Sequence, residues 1–398
     1  MLKMKLLSLT LFISTCITGA YASSQSDELV KSPPRSANFR LQDWESEKEI
    51  KDILSSPNLT DVTVIIDEVY PSETSDEISK GTVIFKEIME KLTLLPSLSS
   101  FSLLLPPDDI NMPLNSLTQL TNLTYLRFKT SESPSDTTLL RDLIIINTGL
   151  TSLRLDVHSL PLESTGDLMG VIAHHTRITN LHLLSRINDG GIFQHLKNAT
   201  SLTQISLEYE KSNQEDDEHQ QNFISLTGTL PNSLQKLKLT VAHLDPESLI
   251  GNSEVKENFN NLTTLTQLDI TSLKTSEEKP LYNWLEFFKF LELNYLKDFA
   301  ISTRGANIPH GYKSKTMDGI ASFIENHSHL RNLSLITFDP ASIMRTEEPL
   351  SKYPTLVQAL KENTTLISFD VQGILSPTLF KRRLKSNLTL LDILTTTK

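Results

Sequence analysis

Cysteine is almost absent from this sequence, which contains a single one among its 398 residues. That residue, Cys16, lies near the start of the chain, so a cleavage after Ala22 would leave none. A chain without cysteine forms no disulfide, no thiolate metal site and no cysteine nucleophile. The cysteine usage therefore excludes disulfide-stapled folds and cysteine-dependent catalysis for such a mature protein.

Long apolar runs are also missing. The apolar run Leu6–Gly19 is about 14 residues long, whereas a permanent membrane span needs roughly 20. It follows Lys3 and Lys5 and precedes Ala20-Tyr21-Ala22, which places small residues at both recognition positions of a signal-peptidase site. The sequence predicts a signal peptide over residues 1–22, a secreted or periplasmic protein, and no membrane-spanning segment after cleavage.

Two alternatives for the first residues stay open. Ile13-Ser14-Thr15 before Cys16 loosely resembles a bacterial lipobox, which would anchor the chain as a lipoprotein. The apolar run could also be an ordinary buried helix, but no amphipathic pattern continues it. Both alternatives explain the residues less well than a cleaved signal does.

Basic residues are fewer than acidic ones. There are 37 Lys and Arg against 48 Asp and Glu, which gives a formal net charge of -11. Loss of Lys3 and Lys5 with the signal shifts this charge from -11 to -13. Nucleic-acid binding needs clustered basic surface, so an acidic chain indicates no nucleic-acid partner.

Signatures of catalysis and metal binding are missing as well. The sequence has no G-x-x-x-x-G-K phosphate loop, no H-E-x-x-H zinc helix and no G-x-S-x-G nucleophile elbow. His174 and His175 would point about 100 degrees apart on a helix, and the acids around Asp216-Asp217 lack the alternating oxygen ligands and glycine of a calcium loop. We therefore expect no enzyme, no cofactor and no metal site.

What the sequence does contain is an internal repeat of the form apolar-x-x-apolar-x-apolar. Its mean period is about 30 residues over twelve occurrences, too many in near-register series for chance. The triplets are Leu59/Val62/Val64, Leu98/Phe101/Leu103, Leu123/Leu126/Phe128, Leu150/Leu153/Leu155, Ile178/Leu181/Leu183, Leu202/Ile205/Leu207, Leu234/Leu237/Leu239, Leu265/Leu268/Ile270, Leu296/Phe299/Ile301, Leu330/Leu333/Leu335, Leu366/Phe369/Val371 and Leu388/Leu391/Ile393.

Each triplet predicts a short strand with one buried face. Its last two apolar residues lie two apart and share a face, while the residue between them points away. Helical spacing precedes several triplets, and Asn or Gly residues such as Asn147 and Asn363 follow the helices, where a left-handed residue commonly ends the last turn. One such unit cannot close a core, but stacked units can, so Leu181, Leu237 and Leu333 should be fully buried.

The repeat resembles the leucine-rich-repeat family over residues 46–394, and its period with pre-strand helices is most similar to the ribonuclease-inhibitor type, in a bacterial exported protein. The resemblance implies an α/β solenoid, curved as a horseshoe, with parallel strands on the concave face and helices on the convex face. The family usually places Asn three residues after the last apolar strand position, and no repeat here does so. The predicted organisation is a signal peptide at 1–22, an extended leader at 23–45 and about twelve irregular repeats at 46–398.

Two segments carry local expectations. The acidic stretch 208–221 has almost no apolar residue and is predicted to be a solvated loop. Trp284, Phe287, Phe288 and Leu291 follow helical spacing and predict a buried stripe, which leaves Tyr282 and Phe290 partly exposed.

The resemblance implies a binding module that recognises a protein partner through its concave face, as a secreted effector or an envelope-associated adaptor. The alternatives are a structural envelope protein and an enzyme with no recognisable motif. The strand register places polar residues on the concave side, with basic ones gathered in repeats three to seven, which predicts an acidic protein partner. The candidate contact residues are Tyr125, Arg127, Lys129, Arg154, His182, Lys236, Lys238 and Asp269.

Overall fold

A computed structural model of the chain describes most of the repeat region. The described residues are 36–41, 54, 56, 58–66, 86–105, 114–130, 137–157, 162–185, 190–209, 216–241, 246–272, 281–293, 295–304, 313–338 and 352–372. The predicted signal peptide with Cys16 and the last predicted triplet, at residues 388–393, lie outside these ranges. Within the described residues, no helix is both long enough and apolar enough to cross a membrane.

Twelve parallel strands, which follow one another in chain order, form the sheet. They are β1 (Ser36–Leu41), β2 (Asp61–Ile66), β3 (Ser100–Leu105), β4 (Tyr125–Thr130), β5 (Ser152–Val157), β6 (Asn180–Ser185), β7 (Gln204–Tyr209), β8 (Lys236–Val241), β9 (Gln267–Ser272), β10 (Asp298–Arg304), β11 (Asn332–Phe338) and β12 (Ser368–Gln372). A parallel sheet in sequence order, with helical segments between most successive strands, is an α/β solenoid of the leucine-rich-repeat kind, as predicted.

The chain divides into two compact units. The first contains β1–β5 and the second contains β6–β12. Within each unit the strands pair in the register of the triplets: Leu126 lies opposite Leu153 in the first unit, and Leu237 lies opposite Leu268 in the second. Equivalent repeat positions are therefore neighbours in space within a unit.

The described triplets are buried as the pattern predicts. Leu181, Leu237 and Leu333 are 0%, 1% and 1% exposed. The first apolar residue of each triplet, three before the strand pair, is buried as well, for example Leu150 and Leu330. The core of each unit therefore contains three apolar positions from every repeat.

One strand lies ahead of the predicted repeats. β1 falls inside the segment assigned to the extended leader and pairs in parallel with β2, with Ala37 opposite Val62 and Phe39 opposite Val64. The predicted start of the repeats at residue 46 is therefore later than the start of the sheet. The pattern missed β1 because it has the small Ala37 at the first strand position and Pro34 three residues earlier, where the other repeats have large apolar residues.

Helices and 3-10 segments alternate with the strands. They are residues 86–92, Leu114–Gln119 (3-10), Thr138–Ile146, Leu162–His174, Gly190–Asn198 (3-10), Asp216–Gly228, Pro246–Leu249, Ser253–Asn260, Leu281–Leu291, Lys313–Asn326 and Pro354–Glu362. Their apolar faces join the core formed by the strands.

Ring contacts show how a helix and a strand share this core. The predicted stripe is confirmed: Trp284 is 1% exposed, and Phe287, Phe288 and Leu291 are 0% exposed. Phe288 meets Phe299 of β10 edge to face at 4.7 Å between ring centroids, a preferred aromatic geometry. Tyr282 and Phe290 of the same helix are half-buried, as expected from their positions off the stripe.

The prediction of a solvated loop at 208–221 is wrong at both ends, because residues 208 and 209 belong to β7 and a helix begins at Asp216. Asp216–Gly228 is a helix, and Phe223, Ile224 and Leu226 on it are buried. Acidic side chains in a first helical turn interact favourably with the positive end of the helix dipole. The acidic composition was therefore compatible with a helix start, and the apolar residues that fix the helix come later.

The helix-to-strand turns differ from the expectation of a left-handed residue. The φ angles of Asn147 and Asn363 are -84° and -72°, and Glu292 is the single non-glycine residue with positive φ in the described part of the chain. The buried Asn147 amide instead donates to the Leu120 and Leu143 carbonyls and accepts from the Leu123 N–H. Side-chain bonds satisfy the turn, so the backbone need not become left-handed.

Candidate functional site

Strand residues that alternate with the buried positions form a second, polar surface in each unit, here called the open face. On β4 it consists of Tyr125, Arg127 and Lys129, and these three are half-buried, half-buried and exposed, respectively. The resemblance predicts this face as the concave side and as the place of partner contact.

In the first unit the open face of β4 and β5 is organised by one carboxylate. Asp156 accepts hydrogen bonds from Arg127 Nε and Nη2 at 3.0 and 2.8 Å. It also accepts from Arg154 Nε, 2.9 Å from one carboxylate oxygen and 3.0 Å from the other. The Asp156 side chain is 2% exposed, and the Arg127 and Arg154 side chains are 28% and 35% exposed. A buried acid thus holds two partly exposed guanidinium groups.

The strand register explains why this acid is needed. Arg127 lies directly opposite Arg154 on the neighbouring strand, and like charges at directly opposite positions repel each other. Asp156 is two residues along β5 and lies opposite Lys129. Its negative charge offsets the repulsion between the two arginines, so this arginine pair is part of the structure as well as part of the surface.

In the second unit the first of the predicted contacts lies on β6. His182 Nε2 is 3.8 Å from the Glu208 carboxylate of β7, which is beyond hydrogen-bond distance. The two side chains are 18% and 32% exposed. His182 and Glu208 are therefore neighbours on the open face of β6 and β7.

The remaining predicted contacts of the second unit lie on β8 and β9. Lys236 and Lys238 are exposed, and they lie opposite Gln267 and Asp269. Burial raises the pKa of the Asp269 carboxyl above its ordinary value, and the Lys238 ammonium opposes that rise. The attraction between Lys238 and Asp269 therefore does not overcome the cost of burying the acid.

The structure places the predicted site residues in two groups. Tyr125, Arg127, Lys129 and Arg154 are neighbours on β4 and β5 of the first unit. His182, Lys236, Lys238 and Asp269 belong to the second unit. Asp156, which is not among the residues predicted from the sequence, orders the first group. The sequence could have predicted this contact, because the register of the triplets places Asp156 opposite Lys129 on the neighbouring strand.

His174 and His175 follow each other where the helix Leu162–His174 ends. The described residues contain no group of three or more His, Cys, Asp or Glu that could hold a metal ion. His175 instead has a structural role in its turn: Nδ1 accepts from the Arg177 and Ile178 N–H groups, and Nε2 lies 3.1 Å from the Asn147 carbonyl.

No protein-family model matches the chain, and no curated protein matches it. Among solved structures it is similar to a chain of the yeast Rad7–Elc1 complex, with 14% identity, 80% of each chain covered and a TM-score of 0.40. A second is the leucine-rich-repeat ectodomain of the Arabidopsis receptor kinase HAESA, with 16% identity, 61% of this chain and 35% of that chain covered, and a TM-score of 0.29.

A sugar phosphate isomerase/epimerase from Parabacteroides distasonis is similar at 9% identity, with 75% of this chain and 95% of that chain covered and a TM-score of 0.20. Likenesses this distant carry no information on partner or activity. The fold assignment therefore rests on the parallel strand order and the register of the triplets in the chain itself.

Proposed function

We propose that the chain is an exported protein-binding module, and that it contacts an acidic region of its partner through the open face of β4 and β5. The observation that carries the proposal is the arginine pair on Asp156, flanked by Tyr125 and Lys129. The four outward side chains are of types suited to binding, and a buried residue fixes two of them.

Pre-organisation is the first argument for this surface. Binding usually costs free energy because flexible side chains become ordered, and a side chain ordered in advance loses less. Asp156 already orders Arg127 and Arg154. Arg154 donates to this carboxylate through Nε, so its two terminal amino groups do not bond to Asp156. Arginine presents such donors in a rigid fork that matches a carboxylate.

Charge is the second argument. On β4 and β5 the open face has three cations, Arg127, Lys129 and Arg154, against the single buried Asp156, which gives +3 - 1 = +2. The whole chain has a net charge of -11. A basic surface favours acidic partner regions. Tyr125 adds an aromatic side chain of the kind enriched at the centres of protein interfaces.

The partner can be sought by affinity capture from host and bacterial lysates at low ionic strength. The test variant Tyr125→Ser/Lys129→Ser removes two open-face side chains that are not bonded to Asp156. The matched control Lys86→Ser/Leu94→Ser removes one lysine and one large apolar side chain, 78% exposed in the case of Leu94, from the helical side of the same unit.

We expect the parent and the control to retain the same captured protein and the test variant to lose it, with melting temperatures within error of each other. Added salt should weaken capture by the parent because the exposed charges are screened. Equal retention by test variant and control would place the partner contact elsewhere.

Export has its own test. We propose that residues 1–22 direct secretion or transfer to the periplasm and that cleavage follows Ala22. Mass spectrometry of the protein recovered outside the cytoplasm should then show Ser23 as its first residue. A lipid-modified chain that begins at Cys16 would support the lipoprotein alternative, and a full-length chain retained in the cytoplasm would contradict export.

A further inference from the structure

The N-terminal edge of the strands in the second unit changes character at β10. Two rows of residues run along this edge. The first row is the residue immediately before each strand, and the second is the residue two positions earlier. In the repeats that contain β7, β8 and β9 these rows are mostly short hydroxyl residues, namely Thr203 and Thr266 in the first row and Ser233 and Thr264 in the second.

Those hydroxyls are used within the fold. Thr266 Oγ1 donates to the Gln235 carbonyl at 3.3 Å, and Thr203 Oγ1 donates to the Thr179 carbonyl at 3.3 Å. In the second row Ser233 Oγ donates to the Leu202 carbonyl and Thr264 Oγ1 to the Leu234 carbonyl, both at 2.7 Å. The hydroxyl groups of these short side chains donate to carbonyls of the fold itself, so they offer few donors to a binding partner.

From β10 onward the same rows present mostly long side chains to solvent. The first row continues as Lys297, Arg331 and Ile367, and all three are exposed, Ile367 at 48%. The second row continues as Tyr295, 61% exposed, and the exposed His329, and it returns to a hydroxyl residue, Thr365, in the repeat of β12. Both rows change at the same repeat, and these five exposed residues form a connected set, here called the basic edge.

The backbone holds the basic edge at the spacing of the strands. The Arg331 N–H donates to the Lys297 carbonyl and the Ile367 N–H donates to the Arg331 carbonyl, each at 2.7 Å. Neighbouring strands lie about 4.8 Å apart. Side chains three or four residues apart on a helix have similar separations, about 5–6 Å between Cβ atoms. Two acidic residues one helical turn apart could therefore reach Lys297 and Arg331 together.

We propose that the basic edge is a docking surface for an acidic helical segment of a protein, with carboxylates at Lys297 and Arg331 and an apolar side chain between Tyr295 and Ile367. Exposed large apolar residues beside cations favour an amphipathic acidic ligand over a purely charged one. Asp298 begins β10 next to Lys297 and is bonded to Asn332. The net charge of -11 over the whole chain disfavours nucleic acid as the occupant.

This surface goes beyond the proposed function, because it belongs to the second unit, whereas β4 and β5 belong to the first. The probe is a blocked synthetic helical peptide of about 15 residues, long enough to form a helix. It carries two glutamates four residues apart and a leucine on the same face. A second peptide has glutamine in place of both glutamates. Binding to the full chain is measured by fluorescence anisotropy at low salt.

We expect the glutamate peptide to bind the parent more tightly than the glutamine peptide does. Lys297→Ser/Arg331→Ser should weaken that binding at least about fivefold, since two exposed ion pairs are lost. The control Lys197→Ser/Lys289→Ser removes two exposed lysines from helical segments, and therefore the same charge, and should bind as the parent does. Tyr295→Ser should weaken binding of both peptides.

Three results would overturn the proposal. The first is equal loss in the edge variant and its control, or no loss in either, since charge at this edge would then be irrelevant. The second is tighter binding of a short single-stranded RNA than of the glutamate peptide. The third is self-association of the parent in sedimentation that Lys297→Ser/Arg331→Ser abolishes. Lys297→Ser/Arg331→Ser should leave lysate capture by the open face of β4 and β5 unchanged, so failure here is distinguishable from failure of the proposed function.

Discussion

The two units treat the charged residues of their open faces in different ways. On β4 and β5, Asp156 is buried and bonded by two arginines. On β8 and β9, Asp269 lies opposite Lys238, but its pKa is raised by burial and Lys238 remains exposed. Both strand pairs combine open-face cations with an acid on the adjacent strand. The two pairs differ in whether bonds to the cations offset the cost of burying the carboxylate. Where they do, we expect the cations to stabilise the fold, and where they do not, we expect the cations to contribute little to stability.

The largest effect should be common to both pairs, because their cores are alike. Leu153 and Leu237 are each 1% exposed at equivalent strand positions. Leu153→Ala and Leu237→Ala should each lower the free energy of unfolding by about 2–5 kcal/mol. Chemical denaturation measures both. A loss below 1 kcal/mol in either would contradict the register on which the comparison depends.

The next effect should separate the pairs. Arg127→Ser/Arg154→Ser leaves the buried Asp156 carboxylate without either guanidinium. We expect destabilisation of about 3 kcal/mol, the low end for breaking a buried ion pair because both arginines are partly exposed. Lys236→Ser/Lys238→Ser, also a loss of two cations from one open face, should change the free energy of unfolding by less than about 0.5 kcal/mol.

The choice of residues for separating binding from stability depends on this comparison. By register alone, Arg127, Arg154 and Lys238 are all open-face cations whose removal would weaken binding of an acidic partner. The bonds from Arg127 and Arg154 to Asp156 predict that loss of these two arginines also destabilises the fold. Tyr125 and Lys129 are therefore the better positions for separating binding from stability.

A smaller effect should have opposite signs at the two acids. Asp156→Asn keeps the size of the side chain but weakens its charge-assisted bonds to both arginines, so the free energy of unfolding should fall by about 1–3 kcal/mol. Asp269→Asn removes a charge that burial disfavours, and at pH 7 the protein should be equally or slightly more stable. Destabilisation of similar size in both variants would show that Lys238 stabilises Asp269 more than its raised pKa indicates.

Two residues at helix-to-strand turns, one in each unit, should differ in their contribution to the pH dependence of stability. Asn147 and His327 both lie three residues before the first buried leucine of a repeat, and both are buried. Burial lowers the pKa of His327, against the opposing hydrogen bond to the Phe323 carbonyl. The unfolded chain then takes up a proton near pH 6.5, while the folded chain does so only at lower pH.

The free energy of unfolding should therefore fall as pH drops below about 6.5, at up to about 1.4 kcal/mol per pH unit for this residue. His327→Asn, which places the residue type of position 147 in the second unit, should remove that part of the pH dependence. Denaturation curves between pH 7.5 and 5 measure the difference between the two proteins. Parallel profiles would mean that His327 accepts a proton in the folded state as readily as in the unfolded state.

Much of this fold could be predicted from the sequence because every repeat meets the same physical requirement, namely a strand with one buried face. The register of the triplets predicted the neighbours of each strand and the exposure of Lys129 and Lys236. β1 escaped prediction because Ala37 and Phe39 are an incomplete apolar pair. The helix at Asp216–Gly228 escaped because its first turn is acidic and polar.

The organisation of the candidate site was less predictable. Which arginine reaches Asp156 depends on side-chain conformations across two strands, and spacing along the sequence does not define them. The role of Asn147 was missed for a related reason: its three partners, Leu120, Leu123 and Leu143, lie partly in the preceding repeat. Contacts between repeats determine both sites, and the pattern within one repeat does not contain them.

Photo-crosslinking tests the central claim most directly, because it reports contact at a single residue. A benzophenone amino acid is placed at Lys129 on the open face of β4 or, as the control, at Lys86 on the helical side of the same unit. Both positions are exposed lysines. In the presence of the captured partner, position 129 should give a crosslink to an acidic segment of that partner and position 86 should give none. Crosslinks of equal yield at both positions, or at position 86 alone, would contradict a binding surface on β4 and β5.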